Sequence, residues 1–239
     1  MLSKNQIKQI NSLKQKKYRL QHKLFVVEGV KTIKEFLQSS FILHILYTTE
    51  FFNIDAKNQE IISEAELKRI SFLKTPNRAL AVFEIPDSES IDYNQLIVAL
   101  DDVRDPGNLG TIIRLCDWFG VKHLICSNET VDCFNPKVIQ ATMGSITRVN
   151  IIYTDLPKFL EQTEQTCYGA FMEGTSVYTS TLPQKGILIL GNEANGISSE
   201  IECFVNQKIS IPRFGALQAT ESLNVATATA ILLSEFKRR

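Results

Sequence analysis

The chain has 239 residues, and its 26 Lys or Arg residues balance its 26 Asp or Glu residues, so the formal net charge is zero. This balance excludes a general electrostatic attraction to nucleic acid, while 44% hydrophobic and 22% charged residues are typical of a globular protein. No apolar stretch has the roughly 20 residues of a membrane span, and no signal-peptide core follows the first residue. We therefore expect a cytoplasmic protein that does not enter a membrane.

Cysteine and histidine usage adds two further expectations. No CxxC pair occurs among the five cysteines, and most of them lie inside apolar runs, which favours buried thiols in a reducing compartment. These cysteines are Cys116, Cys126, Cys133, Cys167 and Cys203. The three histidines are scattered among unrelated segments, so we predict no metal site.

The first 85 residues are predicted to form a small α/β module. Between Met1 and Val27 the chain has seven basic residues and no acidic one, and the apolar spacing over residues 5–23 predicts one amphipathic helix. The basic run either contacts phosphates or forms a solvated helix face. The elements that follow are predicted as strand Leu24–Val27, a helix from Val30, strand Phe41–Tyr47, a helix opened by the capping box Ser63–Glu66, and strand Arg78–Ile85.

Polar, turn-forming residues over 86–94 predict a linker, and residues 95–239 are predicted to form a second domain. Its strands are predicted at Leu96–Leu100, Lys122–Cys126, Arg148–Ile152, Tyr168–Met172, Ile187–Leu190 and Lys208–Ile211. Its helices are predicted near Leu109–Phe119, Pro136–Met143, Leu156–Gln165, Ser199–Val205 and Leu223–Phe236, with Asn135 and Pro136 opening the second. Regular alternation of strands and helices predicts a largely parallel sheet covered on both faces.

Three polar loops follow apolar strands in this second domain. They are Asp101–Gly110, Gly191–Gly196, and a pair of segments, Ile211–Pro212 with Glu221–Ala226. Ligands of open α/β sheets bind at the carboxyl ends of strands. We therefore expect one composite pocket built from the three loops, and hence an enzyme.

Two residues of the first loop and the helix after it are candidates for the site, Asn108 and Arg114. Asn108 lies where a helix is expected to begin, and a short polar side chain is favoured there as a cap. Arg114 is predicted to reach back toward the loop, because helical side chains lean toward the N-terminus. The alternative for Arg114 is a surface arginine paired with Asp117 or Asp105.

Glu193 lies between two glycines that allow the backbone to approach a ligand, although the same pattern is typical of an ordinary turn. Ser222 and Asn224 precede the C-terminal helix, where the serine can act as the N-cap and leave Asn224 for another role. The chain has no GxGxxG, P-loop, HExxH or GxSxG motif. A cofactor would therefore be bound by another loop arrangement.

In this order, the three loops resemble the motifs of the SpoU (TrmH-like) family of RNA ribose 2′-O-methyltransferases, within the SPOUT superfamily. Asn108–Arg114 is similar to the first motif, Leu190–Gly196 to the second, and Ile211–Pro212 with Ser222–Val225 to the third. Ala141–Gly144 followed by Arg148–Val149 also resembles a family segment. This resemblance covers residues 95–239. Residues 1–85 resemble the ribosomal-protein-like RNA substrate-binding domain that often precedes it, mainly through Phe25–Gly29.

The resemblance implies an α/β fold with a parallel SPOUT sheet tied in a deep trefoil knot, and a homodimer with the active site near the subunit interface. It also implies S-adenosylmethionine as the cofactor and RNA as the partner, with ribosomal RNA favoured and transfer RNA as the alternative. The cofactor contacts implied by motif position are Thr142, Gly144, Leu190, Gly191, Ile211 and Leu223. The implied catalytic residues are Arg114, at the acceptor hydroxyl, and around it Asn108, Glu193, Ser222 and Asn224.

The third motif departs from the family pattern. Residues 216–221 make it longer than usual, and Arg213-Phe214 replaces a more typical Met-containing pair, so we expect a differently shaped loop.

Three competing interpretations of the function remain open. One is an RNA-binding paralogue without activity, which is expected to lose Arg114 or Asn224. The others are an unrelated nucleotide-binding enzyme and a methyltransferase that acts on a base.

Overall fold

The computed structural model describes residues 1–215, 217 and 222–238. By its contacts the chain divides into two units, residues 1–87 with 132–147, and residues 88–131 with 148–239. Residues 132–147 thus group with the first unit, although the sequence placed them in the second domain. The domain boundaries themselves stay a prediction.

The elements are numbered in chain order. The helices are α1 (Lys4–Ser12), α2 (Lys16–His22), α3 (Val30–Leu37), α4 (Glu64–Ile70), α5 (Pro106–Trp118), α6 (Pro136–Thr142), α7 (Leu156–Glu161), α8 (Ser199–Glu202) and α9 (Val225–Lys237). The strands are β1 (Leu24–Glu28), β2 (Leu43–Thr48), β3 (Gln59–Ile61), β4 (Ala79–Glu84), β5 (Leu96–Leu100), β6 (His123–Ser127), β7 (Asn150–Thr154), β8 (Cys167–Ser176), β9 (Gly186–Leu190) and β10 (Gln207–Ser210). Short 3₁₀ helices occupy Ala56–Asn58 and Ser145–Arg148.

The first unit contains a four-stranded sheet in the order β1-β4-β2-β3, in which β4 is antiparallel to both neighbours and β2 is parallel to β3. Its core contains a cluster of phenylalanine rings around Phe25, which is fully buried. Phe36 and Phe83 pack on Phe25 with centroids at 5.7 and 6.2 Å, and Phe134 packs on it at 4.6 Å. The contact of Phe134 explains why residues 132–147 join this unit.

The single N-terminal helix predicted over residues 5–23 is wrong, because α1 and α2 are separated by a break. The buried guanidinium of Arg19 causes it. Its Nη1 donates to the carbonyls of Leu13 and Lys14 at 2.8 and 2.9 Å, which takes these oxygens out of the helical pattern. Its Nε donates to Asp132 at 2.9 Å, so the buried charge is compensated by an ion pair.

The capping box at Ser63 is confirmed. Ser63 Oγ accepts the N–H of Glu66, and the Glu66 carboxylate accepts the N–H of Ser63 at 3.0 Å. That backbone hydrogen bond, together with one from the N–H of Leu2, lowers the pKa of Glu66 to about 2. The predicted strands of this unit are confirmed within two residues, whereas β3 was not predicted.

The second unit contains a six-stranded sheet in the order β10-β8-β9-β5-β6-β7, and every neighbouring pair is parallel. The predicted parallel sheet is therefore confirmed. All residues of β5, β6 and β9 are buried, as expected for strands covered on both faces. Ile97 and Ala99 of β5 share one apolar cluster with residues of α7 and α8, and α5 packs against α9.

Four boundaries in this unit differ from the prediction by three or more residues, and two of them are helix C-termini: α7 ends at Glu161 rather than near Gln165, and α8 ends at Glu202 rather than near Val205. α5 begins at Pro106 rather than near Leu109, because Asp105 is its N-cap and accepts the N–H of Asn108 at 2.8 Å. β8 continues to Ser176, four residues beyond the predicted end at Met172.

Throughout the described part of the chain, each helix is too short or too polar to cross a bilayer.

Candidate active site

The site is positioned by β5 and β9, which are adjacent at the centre of the six-stranded sheet. Their last residues, Leu100 and Leu190, are paired in register, so the loops that follow them start side by side. From β5 the chain continues to β6 on one side, and from β9 it continues to β10 beyond β8 on the other side. Where the chain leaves two neighbouring strands toward opposite sides of the sheet in this way, a crevice forms at the strand ends. Open α/β sheets bind their ligands in this crevice.

The loop after β9 has a closed shape that depends on Gly191. A Cβ at this position would lie 2.0 Å from the carbonyl carbon of Gly196 and 2.1 Å from the nitrogen of Ile197, so no side chain fits. Asn192 and Gly196 exchange two backbone hydrogen bonds of 2.9 Å across the loop. The Asn192 side chain accepts the N–H of Ala194, which closes the turn that presents Glu193.

Two side chains join this loop to the loop after β5. Asn192 Nδ2 donates to the carbonyl of Asp102 at 2.7 Å. The buried carboxylate of Asp101 accepts the N–H of Ser198 at 2.7 Å. These two hydrogen bonds therefore hold the loops after β5 and β9 together, although about ninety residues separate the bonded groups in sequence.

Glu193 points its carboxylate at the beginning of α5. Its Oε1 accepts the side-chain amide of Asn108 at 2.9 Å, and longer hydrogen bonds of 3.4 and 3.3 Å come from the N–H groups of Arg104 and Asp105. A carboxylate is favoured at a helix N-terminus because it faces unsatisfied N–H groups. Glu193 is thus more than part of an ordinary turn.

Asn108 links Glu193 to the beginning of α9. Its Oδ1 accepts Nδ2 of Asn224 at 2.8 Å, while its own amide nitrogen donates to Glu193. Asn224 Oδ1 in turn accepts the N–H groups of Ala226 and Thr227, so Asn224 is the N-cap of α9. The sequence suggested Asn108 as a helix cap, but Asp105 has that role, which leaves the Asn108 side chain to connect the two motifs.

Arg114 is exposed on α5, and no hydrogen bond or ion pair holds it among the described residues. The alternative partners are engaged elsewhere: Asp105 caps α5, and Asp117 pairs with Arg148 at 2.9 Å. The reach of Arg114 toward the loop stays a prediction. Its exposure leaves the guanidinium available to a ligand.

A cleft of about 1520 Å³ opens beside this network. It is larger than the roughly 300–1,000 Å³ typical of small-ligand sites. The lining includes four of the six residues predicted for the cofactor and two of those predicted for catalysis, namely Leu190, Gly191, Ile211, Leu223, Glu193 and Ser222. The lengthened third motif lies outside the described residues except for Leu217, so its expected loop shape stays a prediction.

Comparison with known proteins identifies the family. The model of the SpoU rRNA Methylase family matches residues 95–234, and that of the MRM3-like substrate binding domain matches residues 4–81. The chain belongs to the SpoU rRNA methylase family. It is 28% identical to the 23S rRNA (guanosine(2553)-2′-O)-methyltransferase RlmP of Bacillus subtilis over 97% of this chain and 96% of that protein.

Solved structures extend this similarity to the fold. A TrmH-family protein from Porphyromonas gingivalis is 39% identical, with a TM-score of 0.90 over 99% of this chain and 98% of that one. An AdoMet-bound rRNA methyltransferase from Sinorhizobium meliloti is 29% identical, with a TM-score of 0.88 over 99% of this chain and 95% of that one. The SPOUT-type α/β fold is therefore shown by close structural relatives.

One wall of the SpoU cleft was not predicted. Between Lys208 and Ile209 the pairing of β10 with β8 passes directly from Gly169 to Thr175, so residues 170–174 have no partner in β10. Residues 170–173 line the cleft. Gly174 allows this pairing, because a Cβ there would lie 2.6 Å from the Lys208 carbonyl. The signal in the sequence was weak: a polar Glu-Gly pair that follows an apolar strand.

The remaining two cofactor residues lie in the segment that groups with the first unit. Thr142 is buried, and its hydroxyl donates to the carbonyl of Ile139 at 2.8 Å. Gly144 has a φ of 97°, and a Cβ there would lie 2.9 Å from Cβ of Glu35. Both positions are thus structurally constrained, and their contact with a cofactor stays a prediction.

The expectation of buried thiols is confirmed for four cysteines, while Cys203 is exposed. Burial raises the pKa of the Cys116 thiol to about 12 and that of Cys167 to about 11, so neither is a nucleophile at neutral pH. Across the described residues, no group of three His, Cys, Asp or Glu side chains is placed to hold a metal ion.

Proposed function

We propose that this chain transfers a methyl group from S-adenosylmethionine to a ribose 2′-hydroxyl of ribosomal RNA. The observation that carries the proposal is the hydrogen-bonded set Glu193, Asn108 and Asn224, which joins the three motifs beside a cleft at the carboxyl ends of β5 and β9. The similarity over nearly the full length to a 23S rRNA ribose methyltransferase supports ribosomal rather than transfer RNA as the substrate.

The cleft lining fits the cofactor. Leu190, Ile211 and Leu223 supply apolar surface for an adenine ring, and the carboxylates of Glu173 and Glu193 supply negative charge for a sulfonium. The AdoMet-bound relative from S. meliloti supports this assignment. When bound, S-adenosylmethionine supplies an electrophilic methyl group, so the tasks of the protein are to align the acceptor hydroxyl and to assist loss of its proton.

We assign Arg114 to the acceptor nucleotide. A guanidinium is a poor base but an excellent donor, and its planar fork binds a phosphate through two parallel hydrogen bonds. Arg114 is exposed and without a partner among the described residues, so it is free to make this contact. In our hypothesis Arg114 orients the nucleotide, and the second role, which the family resemblance implies, is to assist removal of the hydroxyl proton.

Glu193, Asn108 and Asn224 fix the beginnings of α5 and α9 in the proposed mechanism. The amide of Asn108 is held from both sides, so neither helix can move without breaking a hydrogen bond of 2.8 or 2.9 Å. Ser222 lies two residues before the Asn224 cap and lines the cleft, where its hydroxyl can bind ribose or phosphate. Fixed geometry of this kind is what a transfer between two bound groups requires.

The distribution of charge supports the first unit as the RNA-binding part. Residues 1–87 contain 14 Lys or Arg and 9 Asp or Glu, whereas residues 88–239 contain 12 and 17. The net charge of zero is therefore the sum of a basic N-terminal part and an acidic remainder. The lysines of α1 and α2 are exposed and able to contact phosphates, which would make RNA binding sensitive to salt.

We further propose that the protein is a cytoplasmic homodimer and that the second unit contains the trefoil knot of SPOUT proteins. The similarity to an rRNA methyltransferase of Bacillus subtilis supports the cytoplasm. The homodimer is what the family resemblance implies, and Trp118 at the end of α5, which is 84% exposed, is our candidate for a contact with the partner subunit. The fold similarity to solved TrmH-family proteins supports the knot.

The experiment is methyl transfer from labelled S-adenosylmethionine to RNA from a strain that lacks this gene, followed by nucleoside analysis. We expect a labelled 2′-O-methylnucleoside in ribosomal RNA. Arg114→Ala should lower the rate about 100-fold or more. Lys122→Ala is the matched control, because Lys122 is an exposed cation before β6, at the amino end of the strand.

Each outcome decides between the alternatives. Label in transfer RNA would correct the substrate, and label on a base would correct the reaction. Cofactor binding without any transfer would favour a missing partner or an immature ribosomal particle as the substrate. No cofactor binding at all would favour the RNA-binding paralogue. Near-normal turnover of Arg114→Ala would refute both roles assigned to that residue.

A further inference from the structure

We propose that Arg104 is a second contact for the RNA backbone at the edge of the active site, in addition to Arg114; this inference rests on the proposed function. Arg104 lies in the loop between β5 and α5, two residues before Pro106. Its side chain is 71% exposed, and its backbone N–H donates to Glu193 at 3.4 Å. Arg104 therefore adjoins the network of the site while its side chain faces solvent.

Asp102 orients the guanidinium of Arg104, whose Nε donates to Asp102 Oδ1 at 2.8 Å. Asp102 itself has a φ of 57°, in the left-handed region that a residue with a side chain rarely adopts. Its N–H donates to Ser127 Oγ at 3.0 Å, and its carbonyl accepts Nδ2 of Asn192 at 2.7 Å. Residues held under strain by their surroundings are frequent at binding sites.

The terminal nitrogens of Arg104 remain available. A guanidinium has five N–H donors, and Asp102 uses the one on Nε. Among the described residues, no hydrogen bond engages the four donors on Nη1 and Nη2. Two of them in parallel match the oxygens of a phosphate. Because Asp102 already fixes the side chain, less conformational entropy is lost on binding.

The charges around Arg104 strengthen the inference. Asp102, through its hydrogen bond and its charge, raises the pKa of Arg104, and Glu129 and Glu193 add to this effect. Without Arg104, this edge of the site would present three carboxylates to a polyanion. Arg104 thus supplies a phosphate contact and also removes a repulsion, in a part of the chain where acidic residues outnumber basic ones.

The test compares Arg104→Ala and Arg104→Lys with the wild type and with the control Lys122→Ala. The affinity for ribosomal RNA transcripts is measured by filter binding at several salt concentrations, together with kcat, KM for RNA and the cofactor Kd. For Arg104→Ala we expect about tenfold weaker RNA binding for every RNA sequence, and a salt slope smaller by about 1. Arg104→Lys keeps the charge without the planar fork, so its affinity should be intermediate.

The kinetic constants separate this role from a structural one. We expect Arg104→Ala to raise KM for RNA while kcat, the cofactor Kd and the melting temperature stay at the values of the control. Unchanged RNA affinity and salt slope in Arg104→Ala would overturn the proposal, as would a loss confined to kcat or cofactor affinity. If the wild type fails to bind the cofactor, the proposed function fails, whereas RNA affinity and its salt slope still decide the role of Arg104.

Discussion

Gly191→Ala should open the loop on which the candidate cofactor site depends. The added Cβ would lie 2.0 Å from the carbonyl carbon of Gly196 and 2.1 Å from the nitrogen of Ile197, both of them backbone atoms that cannot rotate away. Overpacking costs about 1–3 kcal/mol. When the two sides of the loop are pushed apart, the paired backbone hydrogen bonds between Asn192 and Gly196 also weaken. Each of these bonds contributes about 1 kcal/mol to the stability of the fold.

We therefore expect Gly191→Ala to lose about 2–4 kcal/mol of folding stability, which corresponds to a melting temperature about 5–10 °C lower. The cofactor Kd should rise at least about tenfold, because the displaced loop carries Glu193 and lines the cleft. Melting is followed by circular dichroism, and the Kd of S-adenosylmethionine is measured by titration calorimetry.

Two glycines provide matched controls. Gly196 is in the same loop with a φ of 68° and nothing within 4 Å of its Cβ position, so Gly196→Ala tests backbone strain without a clash. Gly215 has no positive φ and nothing within 4 Å of its Cβ position, so Gly215→Ala should melt at the temperature of the wild type. If Gly191→Ala bound the cofactor as tightly as the wild type, or melted at the same temperature as Gly196→Ala, the argument from loop closure would be wrong.

Three more predictions follow from caps, titration and exposure. Asn224→Ala should lose about 1 kcal/mol of helix capping and most of the methyl transfer. Asp155→Ala, which removes the cap of α7, should lose stability alone; activity and melting of both variants check this. Burial lowers the pKa of His123, whose Nε2 accepts the N–H of Asp92 at 3.1 Å. The neutral ring is therefore the stable folded form, so stability should decrease as pH falls below the unfolded-state pKa of about 6.5, and denaturation curves of His123→Asn should lack this decrease. Iodoacetamide should label Cys203 in the native protein and leave the buried cysteines unmodified; mass spectrometry that finds a buried thiol labelled at the same rate would contradict the packing.

The sequence was sufficient for the elements of the second unit because its signals are local. Buried parallel strands are continuous apolar runs, and all six were predicted within four residues of their ends. The Asn135-Pro136 cap is likewise a local signal, and it is confirmed by the hydrogen bond from the Lys137 N–H to the Asn135 side chain. The order of the strands in the sheet has no such signal, since it depends on which apolar runs pair.

Predictions failed where a contact between distant parts of the chain altered the local structure. The break between α1 and α2 depends on Arg19 and its ion pair with Asp132, 113 residues away, and periodicity cannot detect such a contact. Residues 170–174 have no partner in β10 because β10 pairs with two separate parts of β8. In both cases the local pattern was read correctly as helix or strand, and a tertiary contact then divided or extended the element.

Asn108 shows the same limit at the level of one side chain. The sequence places an asparagine at a helix start, where capping is the natural interpretation. In the fold the Asn108 side chain lies between two distant partners, Glu193 and Asn224, which are 85 and 116 residues along the chain. Glu193 accepts a hydrogen bond from its amide nitrogen, and Asn224 donates one to its amide oxygen. An aspartate would cap equally well but would place two carboxylates in contact at Glu193, so the requirement for an amide comes from the two distant partners. The motifs thus identify which residues matter, and only the fold explains why the residue at 108 must both donate and accept a hydrogen bond.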